Sequence, residues 1–280
     1  MIDFEHYKNK LSNISSPIRG GQKEVYFAFH PTYGNIVMKL CFHLDDPRIM
    51  REILISKNHH FEAVPKIYEV LHMNYQGNET LCIIEEKIEG YTLDNFLQLG
   101  KRFTLSDAVD FLEQGLFFIR DLESEKIVHR DIKPQNIIIT NNKKVYFLDF
   151  GIARILGASS LTLTKAQFGP HTPGYAAPEQ FNNRKDSIDS RADIFSLGVV
   201  TYECLSGHNP FLEGATSYLD ILQKTETITP VVFQIPGDSE QQFMALLSTM
   251  MGKYPSRRPK NAQQAIDWLN AAKATFDIEA

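Results

Sequence analysis

The change of hydrophobic period near Gly90 constrains this chain more than any other feature of its sequence. Upstream, apolar and polar residues alternate in short runs at Glu24–Phe29, Ile36–Cys41, Ile67–Met73 and Leu81–Glu86, the period-two pattern of strands. The intervening Pro31-Thr32-Tyr33-Gly34-Asn35 and Tyr75-Gln76-Gly77-Asn78 carry residues that tolerate tight or left-handed backbone. One helix is predicted among these strands, from about Asp46 to Lys57, with Pro47 in its first turn. Its apolar stripe runs either through Ile49, Ile53 and Lys57 or through Met50 and Leu54. Downstream, Leu105–Leu122, Ser190–Leu205, Gln241–Met251 and Ala262–Lys273 place apolar residues three and four apart, as amphipathic helices do. The expected fold is α+β: a small β-rich part over residues 1–89 with one main helix, then a larger, mainly helical part over 90–280. With no internal repeat or low-complexity linker, all 280 residues read as one domain made of these two parts.

Composition narrows the function. Lys and Arg total 29 against 34 Asp and Glu, a net charge of −5, so the chain lacks the basic footprint of a nucleic-acid binder and no such partner is expected. Cys41, Cys82 and Cys204 are far apart, odd in number and without CxxC spacing, which argues against disulfides and zinc and for a reducing compartment. His59-His60 has no further ligand at metal-binding spacing. No apolar run approaches ~20 residues and the first residues lack a signal-peptide core, so neither a membrane partner nor export is expected; the predicted location is cytoplasmic.

The segment with most chemical content is His129-Arg130-Asp131-Ile132-Lys133-Pro134-Gln135-Asn136, followed eighteen residues after Asp131 by Asp149-Phe150-Gly151. Two short apolar runs between them, Ile137–Ile139 and Val145–Leu148, read as a strand pair that brings the motifs side by side. Phosphoryl transfer from a nucleotide requires little covalent chemistry and much charge handling: a carboxylate to orient the attacking hydroxyl and oxygen ligands for Mg²⁺. Asp131 suits the first role, and Asn136 and Asp149 the second.

With Ala177-Pro178-Glu179 following in order, the chain resembles the eukaryotic-type serine/threonine protein kinases over nearly its full length, and HRDIKPQNIII with TPGYAAPEQ is most similar to their bacterial branch. The resemblance implies the bilobal kinase fold, with residues 1–89 as nucleotide-binding N-lobe and 90–280 as C-lobe. It implies ATP and Mg²⁺ as cofactors, with Mn²⁺ as an alternative ion. Asp131 is then the catalytic base and Lys133 a catalytic cation beside the γ-phosphate. Lys39, in Ile36-Val37-Met38-Lys39, becomes the lysine that grips the α- and β-phosphates, and Glu52, thirteen residues on, the carboxylate that pairs with it. Lys133 and Thr172 match the serine/threonine-directed members.

The glycine-rich loop departs from the family. Against its template ending at Val25, only Gly20 matches a glycine position, with Gly21 as an extra glycine and Lys23 where a third belongs. Gly20, Gly21 and Val25 are nonetheless the residues expected over the phosphates. Glu86 and Ile88 would present backbone groups to adenine, which puts Glu85 at the back of the nucleotide pocket. A buried carboxylate there needs a donor, and the sequence names none; the alternative is a register shifted by one.

Asp149 to Glu179 spans 31 residues, suited to an activation segment. It contains Ser159, Ser160, Thr162 and Thr164, any of which is a candidate for autophosphorylation, with Arg130 as the cation that would pair with the phosphate. Asp193 is expected to brace the catalytic loop, and Arg258 to pair with Glu179. The expected function is an ATP- and Mg²⁺-dependent serine/threonine protein kinase acting on protein hydroxyls, under the control of a regulatory protein partner or its own phosphorylation. The alternatives are a kinase-fold scaffold with little turnover and a small-molecule kinase.

Overall fold

A computed structural model describes residues 1–20, 23–156, 172–181 and 188–277. Gly21 and the four candidate phosphosites Ser159, Ser160, Thr162 and Thr164 lie outside these. The chain divides into two compact units, Met1–Glu89 and Gly90–Ala280.

The first unit is a six-stranded sheet with two helices. Its elements are β1 (Ile2–Asp3), α1 (Phe4–Lys8), β2 (Ile18–Gly20), β3 (Lys23–His30), β4 (Gly34–Cys41), α2 (Pro47–Asn58), β5 (Ile67–Tyr75) and β6 (Asn78–Glu86), and the strand order is β1-β5-β6-β4-β3-β2. The four strands read from alternation are all present, each longer than its apolar run because the polar hairpin residues continue the ladder. Strand β1 was not legible: its two residues pair in parallel with Met73 and Asn74, and the following α1 anchors the segment with buried Phe4 and Tyr7.

The two faces of the sheet separate cleanly. Ile36, Met38 and Leu40 of β4 join Tyr26, Ala28, Cys82 and Ile84 in one cluster, while Cys41, Leu81 and Ile83 pack with Ile49 and Ile53 of α2 on the opposite face. Helix α2 therefore follows the Ile49–Ile53 stripe; Met50 and Leu54 are exposed. Asp46 caps it by accepting from the Arg48 amide at 2.8 Å, and Pro47 sits where no intrahelical donor is needed.

The second unit contains β7 (Gly90–Thr92), α3 (Leu93–Gln98), α4 (Leu105–Ser124), β8 (Ile127–Val128), β9 (Ile137–Thr140), β10 (Val145–Phe147), β11 (Arg154–Ile155), α5 (Pro178–Phe181), α6 (Arg191–Ser206), α7 (Tyr218–Thr227), α8 (Gln242–Met250) and α9 (Ala262–Lys273). Its centre is α6, in which every residue except Arg191 and Glu203 is buried, so it shows no amphipathic stripe. Helix α4 packs against α6 and α9. Gly115 permits the α4–α6 approach, since a Cβ there would lie 2.6 Å from Leu197 Cδ1. The antiparallel pair β9–β10 matches Ile137 with Phe147 and so returns the chain from Asn136 to Asp149, as the two apolar runs predicted.

Candidate active site

In the first unit, strand register builds a charged cluster on the α2 face. Lys39 lies opposite Val25 on β3 and Ile83 on β6, and Glu85 lies opposite Val37, so Lys39 and Glu85 are diagonal neighbours on one face. Diagonal partners are within reach of long side chains. Glu52 enters from α2, one residue before the core residue Ile53. Lys39 Nζ donates to Glu52 Oε1 at 2.7 Å and lies 2.8 Å from Glu85 Oε2. All three side chains are largely buried, with 13%, 9% and 10% of their surface exposed. Burial works against the lysine's charge, but the two carboxylates outweigh it and raise its pKa well above the ordinary lysine range. Burial raises the pKa of Glu85, with Lys39 opposing. The donor that Glu85 requires is thus Lys39, the same residue the sequence pairs with Glu52.

The other residues predicted for the nucleotide behave differently. Val25 is half-buried beside Lys39. Gly20 is exposed at the end of β2, where among the described residues a Cβ would meet only Lys23 O at 3.7 Å, so none of these requires a glycine there. The Glu86 amide already donates to Lys66 O at 2.8 Å, which commits its N–H within the sheet. Ile88 follows the strand, and its backbone has no hydrogen-bond partner among the described residues.

In the second unit, the loop between β8 and β9 carries Asp131 at the centre of a hydrogen-bond network. Thr172 Oγ1 donates to Asp131 Oδ1 at 2.6 Å, and Lys133 Nζ lies 2.8 Å from Asp131 Oδ2 and 3.0 Å from Thr172 Oγ1. Asn136 Nδ2 donates to Asp131 Oδ2 at 2.8 Å and to its backbone carbonyl at 3.1 Å. Because both of these partners are acceptors, the amide nitrogen must face Asp131, and the Asn136 oxygen is the atom left for a cation. Asp149 Oδ1 accepts from the Gly151 amide at 2.9 Å.

The loop's shape is imposed from beneath. Asp193, fully buried at the start of α6, accepts from the His129 and Arg130 amides at 2.7 Å each. Burial pushes its carboxyl up to about 7 against those two bonds. Arg130 (φ 70°) and Asp149 (φ 65°) both adopt the left-handed backbone that L-residues avoid. The fully buried His129 receives the Asp131 amide on Nδ1 at 3.3 Å and packs against Phe150, with ring centroids 4.9 Å apart. Burial lowers its pKa, favouring the neutral ring that can accept that bond.

The remaining predicted contacts are structural. Arg258 forms a two-pronged pair with Glu179 at 2.7 and 2.9 Å and also donates to the carbonyls of Gly252, Arg191 and Lys253. Sequence reasoning missed Gln180, whose amide donates to the Arg130 carbonyl at 3.0 Å while its oxygen accepts from Ala177 N. A glutamine after Pro-Glu carries no signal of its own, and only the fold reveals its partners.

A protein kinase domain family model matches residues 19–268. Among similar curated proteins, a probable serine/threonine-protein kinase PknB of Corynebacterium glutamicum is 28% identical over 256 residues, covering 88% of this chain and 39% of that protein. Serine/threonine-protein kinase pkn2 of Myxococcus xanthus is 30% identical over 92% of this chain and 32% of its own length. Serine/threonine-protein kinase PknA of Mycobacterium tuberculosis is 32% identical over 78% of this chain and 48% of its own length. The chain thus spans about a third to nearly a half of the length of these relatives.

Proposed function

From the premise that this chain belongs to the protein kinase domain family, in its bacterial serine/threonine branch, we propose that it transfers the γ-phosphate of ATP to serine or threonine hydroxyls of a protein substrate. The observation that carries this reading is the Asp131 network, in which one carboxylate is held by Thr172, Lys133 and Asn136 together. An acceptor hydroxyl placed against Asp131 gives up its proton to the carboxylate as its oxygen bonds to the γ-phosphorus; the bond to the bridging oxygen breaks and ADP leaves. Lys133 offers a cation where charge develops on the transferred group. Lys39, kept charged by its two carboxylates, is the candidate for gripping the nucleotide phosphates, with Val25, Gly20 and the open Ile88 backbone as further contacts; Gly21 belongs to the same loop.

The Asn136 oxygen and the Asp149 carboxylate are hard donors of the kind Mg²⁺ takes, completed by water and phosphate oxygens, and they are the residues that would hold it. When bound, the ion neutralises phosphate charge. Autophosphorylation in the activation segment and control by a regulatory protein belong to the same reading, with Arg130 as the cation for a phosphate. The three cysteines are buried and free, which suits a cytoplasmic setting. Among the described residues, no helix is long and apolar enough to cross a membrane.

Incubation with Mg²⁺ and radiolabelled ATP, beside Lys39→Ala and Asp149→Ala, tests the reading. Label on serine or threonine that disappears in both variants is the expected result. Label that survives in either variant, or its absence from the wild type with every protein acceptor offered, refutes it.

A further inference from the structure

Lys39 is engaged twice. In the phosphate-gripping role assigned above, a lysine needs one carboxylate to hold it, and Glu52 supplies that from α2 at 2.7 Å. Glu85 is a second carboxylate on the same ammonium at 2.8 Å, and it enters from β6, a different element. Among the described residues, the charged or titratable groups that act on Glu85 are Lys39 and the Cys41 thiol on β4, Glu52 on α2, and Lys23 on β3. Within the buried cluster of Lys39, Glu52 and Glu85 the net charge is −1.

That sign is unfavourable for a polyphosphate. An ATP phosphate approaching Lys39 must either displace Glu85 or share the lysine with it, and in a poorly solvated site like charges repel more strongly than in water. In the assigned role Glu52 is the carboxylate that holds Lys39 from α2, which leaves Glu85 as the one in excess. We propose that Glu85 is a specificity-determining residue that competes with the nucleotide's phosphates for Lys39 and thereby sets a weak affinity for ATP. The inference rests on the kinase reading of Lys39. The consequence is kinetic: the enzyme's activity tracks the ATP concentration instead of saturating at a low level.

Protonation of Glu85 removes the competing charge while preserving its shape, so acid should relieve the competition. Burial acts in the same direction by raising the pKa of Glu85, while Lys39 opposes it. Glutamine is the permanent isostere of that form.

The test compares wild type with Glu85→Gln and with Glu85→Met, which carries no charge and demands no donor. KM for ATP should fall about tenfold in both, the worth of one charge interaction of ~1.4 kcal/mol, with a smaller effect on kcat. Affinity for ATP, measured independently of transfer by fluorescence titration, should tighten by the same factor, whereas adenosine, lacking phosphates, should bind all three proteins alike. The advantage of the glutamine variant should shrink as the pH is lowered. Unchanged or higher KM in both variants, each shown to melt cooperatively, overturns the proposal; so does an equal gain for adenosine, which would report shape and not charge. ATP binding that is absent from all three overturns it too. Failure of the kinase reading is distinguishable, since it appears as intact, Glu85-dependent ATP binding without transfer to any hydroxyl.

Discussion

Thr172→Val removes one hydroxyl and little volume, and the Asp131 network predicts its cost. The hydroxyl donates to Asp131 Oδ1 at 2.6 Å and accepts from Lys133 Nζ at 3.0 Å, so the variant loses two hydrogen bonds to charged partners. Lys133 and Asn136 still hold Asp131 Oδ2, which leaves the carboxylate in place with one oxygen undirected. A hydrogen bond to a charged group contributes roughly 1.5–3 kcal/mol. If one such bond is needed to aim Asp131 at the acceptor hydroxyl, kcat should fall about 10- to 100-fold, at 1.36 kcal/mol per factor of ten. KM for ATP should move little, because the lost bonds orient the base and the lysine beside it. Thr172→Ser keeps the hydroxyl and should recover most of the rate. Steady-state phosphorylation of a protein acceptor over a range of ATP concentrations separates these quantities. A valine variant within about twofold of wild-type kcat, or a serine variant as slow as valine, would refute the assignment of Thr172 as a positioning residue.

Three further outcomes are expected. Arg258→Met strands the buried Glu179 carboxylate and removes donors from three carbonyls, so urea denaturation should show a loss of about 3–5 kcal/mol; the Glu179→Leu double variant should recover part of it, and a loss under ~1 kcal/mol contradicts the account. Gly90→Ala would place a Cβ 2.4 Å from the Ile139 carbonyl oxygen, and a cost of about 1–3 kcal/mol should appear as a lower melting temperature. Burial pushes the Glu203 carboxyl up to about 7, with the Tyr175 bond opposing and Asp94 reinforcing. Because its pKa is higher folded than unfolded, the stability linked to that proton is fully present near pH 4 and is lost as pH rises through about 7. Glu203→Gln should therefore raise the melting temperature at pH 8 and leave it unchanged near pH 4; a pH-independent difference rules the mechanism out.

What could be read in advance divides along physical lines. Alternation over β3, β4, β5 and β6 and the helical period of α4, α8 and α9 arise from burial of one face, so the pattern is written in the residues themselves. Helix α6 was expected as an amphipathic helix from apolar spacing over Ser190–Leu205, but it is buried on all sides: that spacing marked its place, and the one-sided stripe it implied is absent because apolar residues cover every face. Among the segments missed, β1, β2 and α3 are short and held by what they pair with, since Ile2 and Asp3 become a strand only because β5 offers its edge; the ten-residue α7 was missed as well, although its length is that of an ordinary helix. In the site, the bonds of Lys133 and Asn136 to Asp131 emerge only from the folded loop, whereas the pairings of Lys39 with Glu52 and of Glu179 with Arg258 followed from the family resemblance. The Glu85–Lys39 contact did not, since it depends on a diagonal register across β4 and β6 that only the paired sheet defines. Gln180 was invisible for the same reason.

The left-handed backbone at Arg130 and Asp149 has an implication for how such a protein can be improved. Each costs on the order of 1–2 kcal/mol relative to glycine, which adopts that conformation freely. A selection that scores only resistance to heat would therefore reward glycine at both positions. The second of those replacements deletes the carboxylate assigned to the metal, and the first deletes the cation assigned to the activation segment. Thermal robustness and turnover pull against each other at two single codons, and any library screened on melting alone should become enriched in proteins that are sturdy and silent.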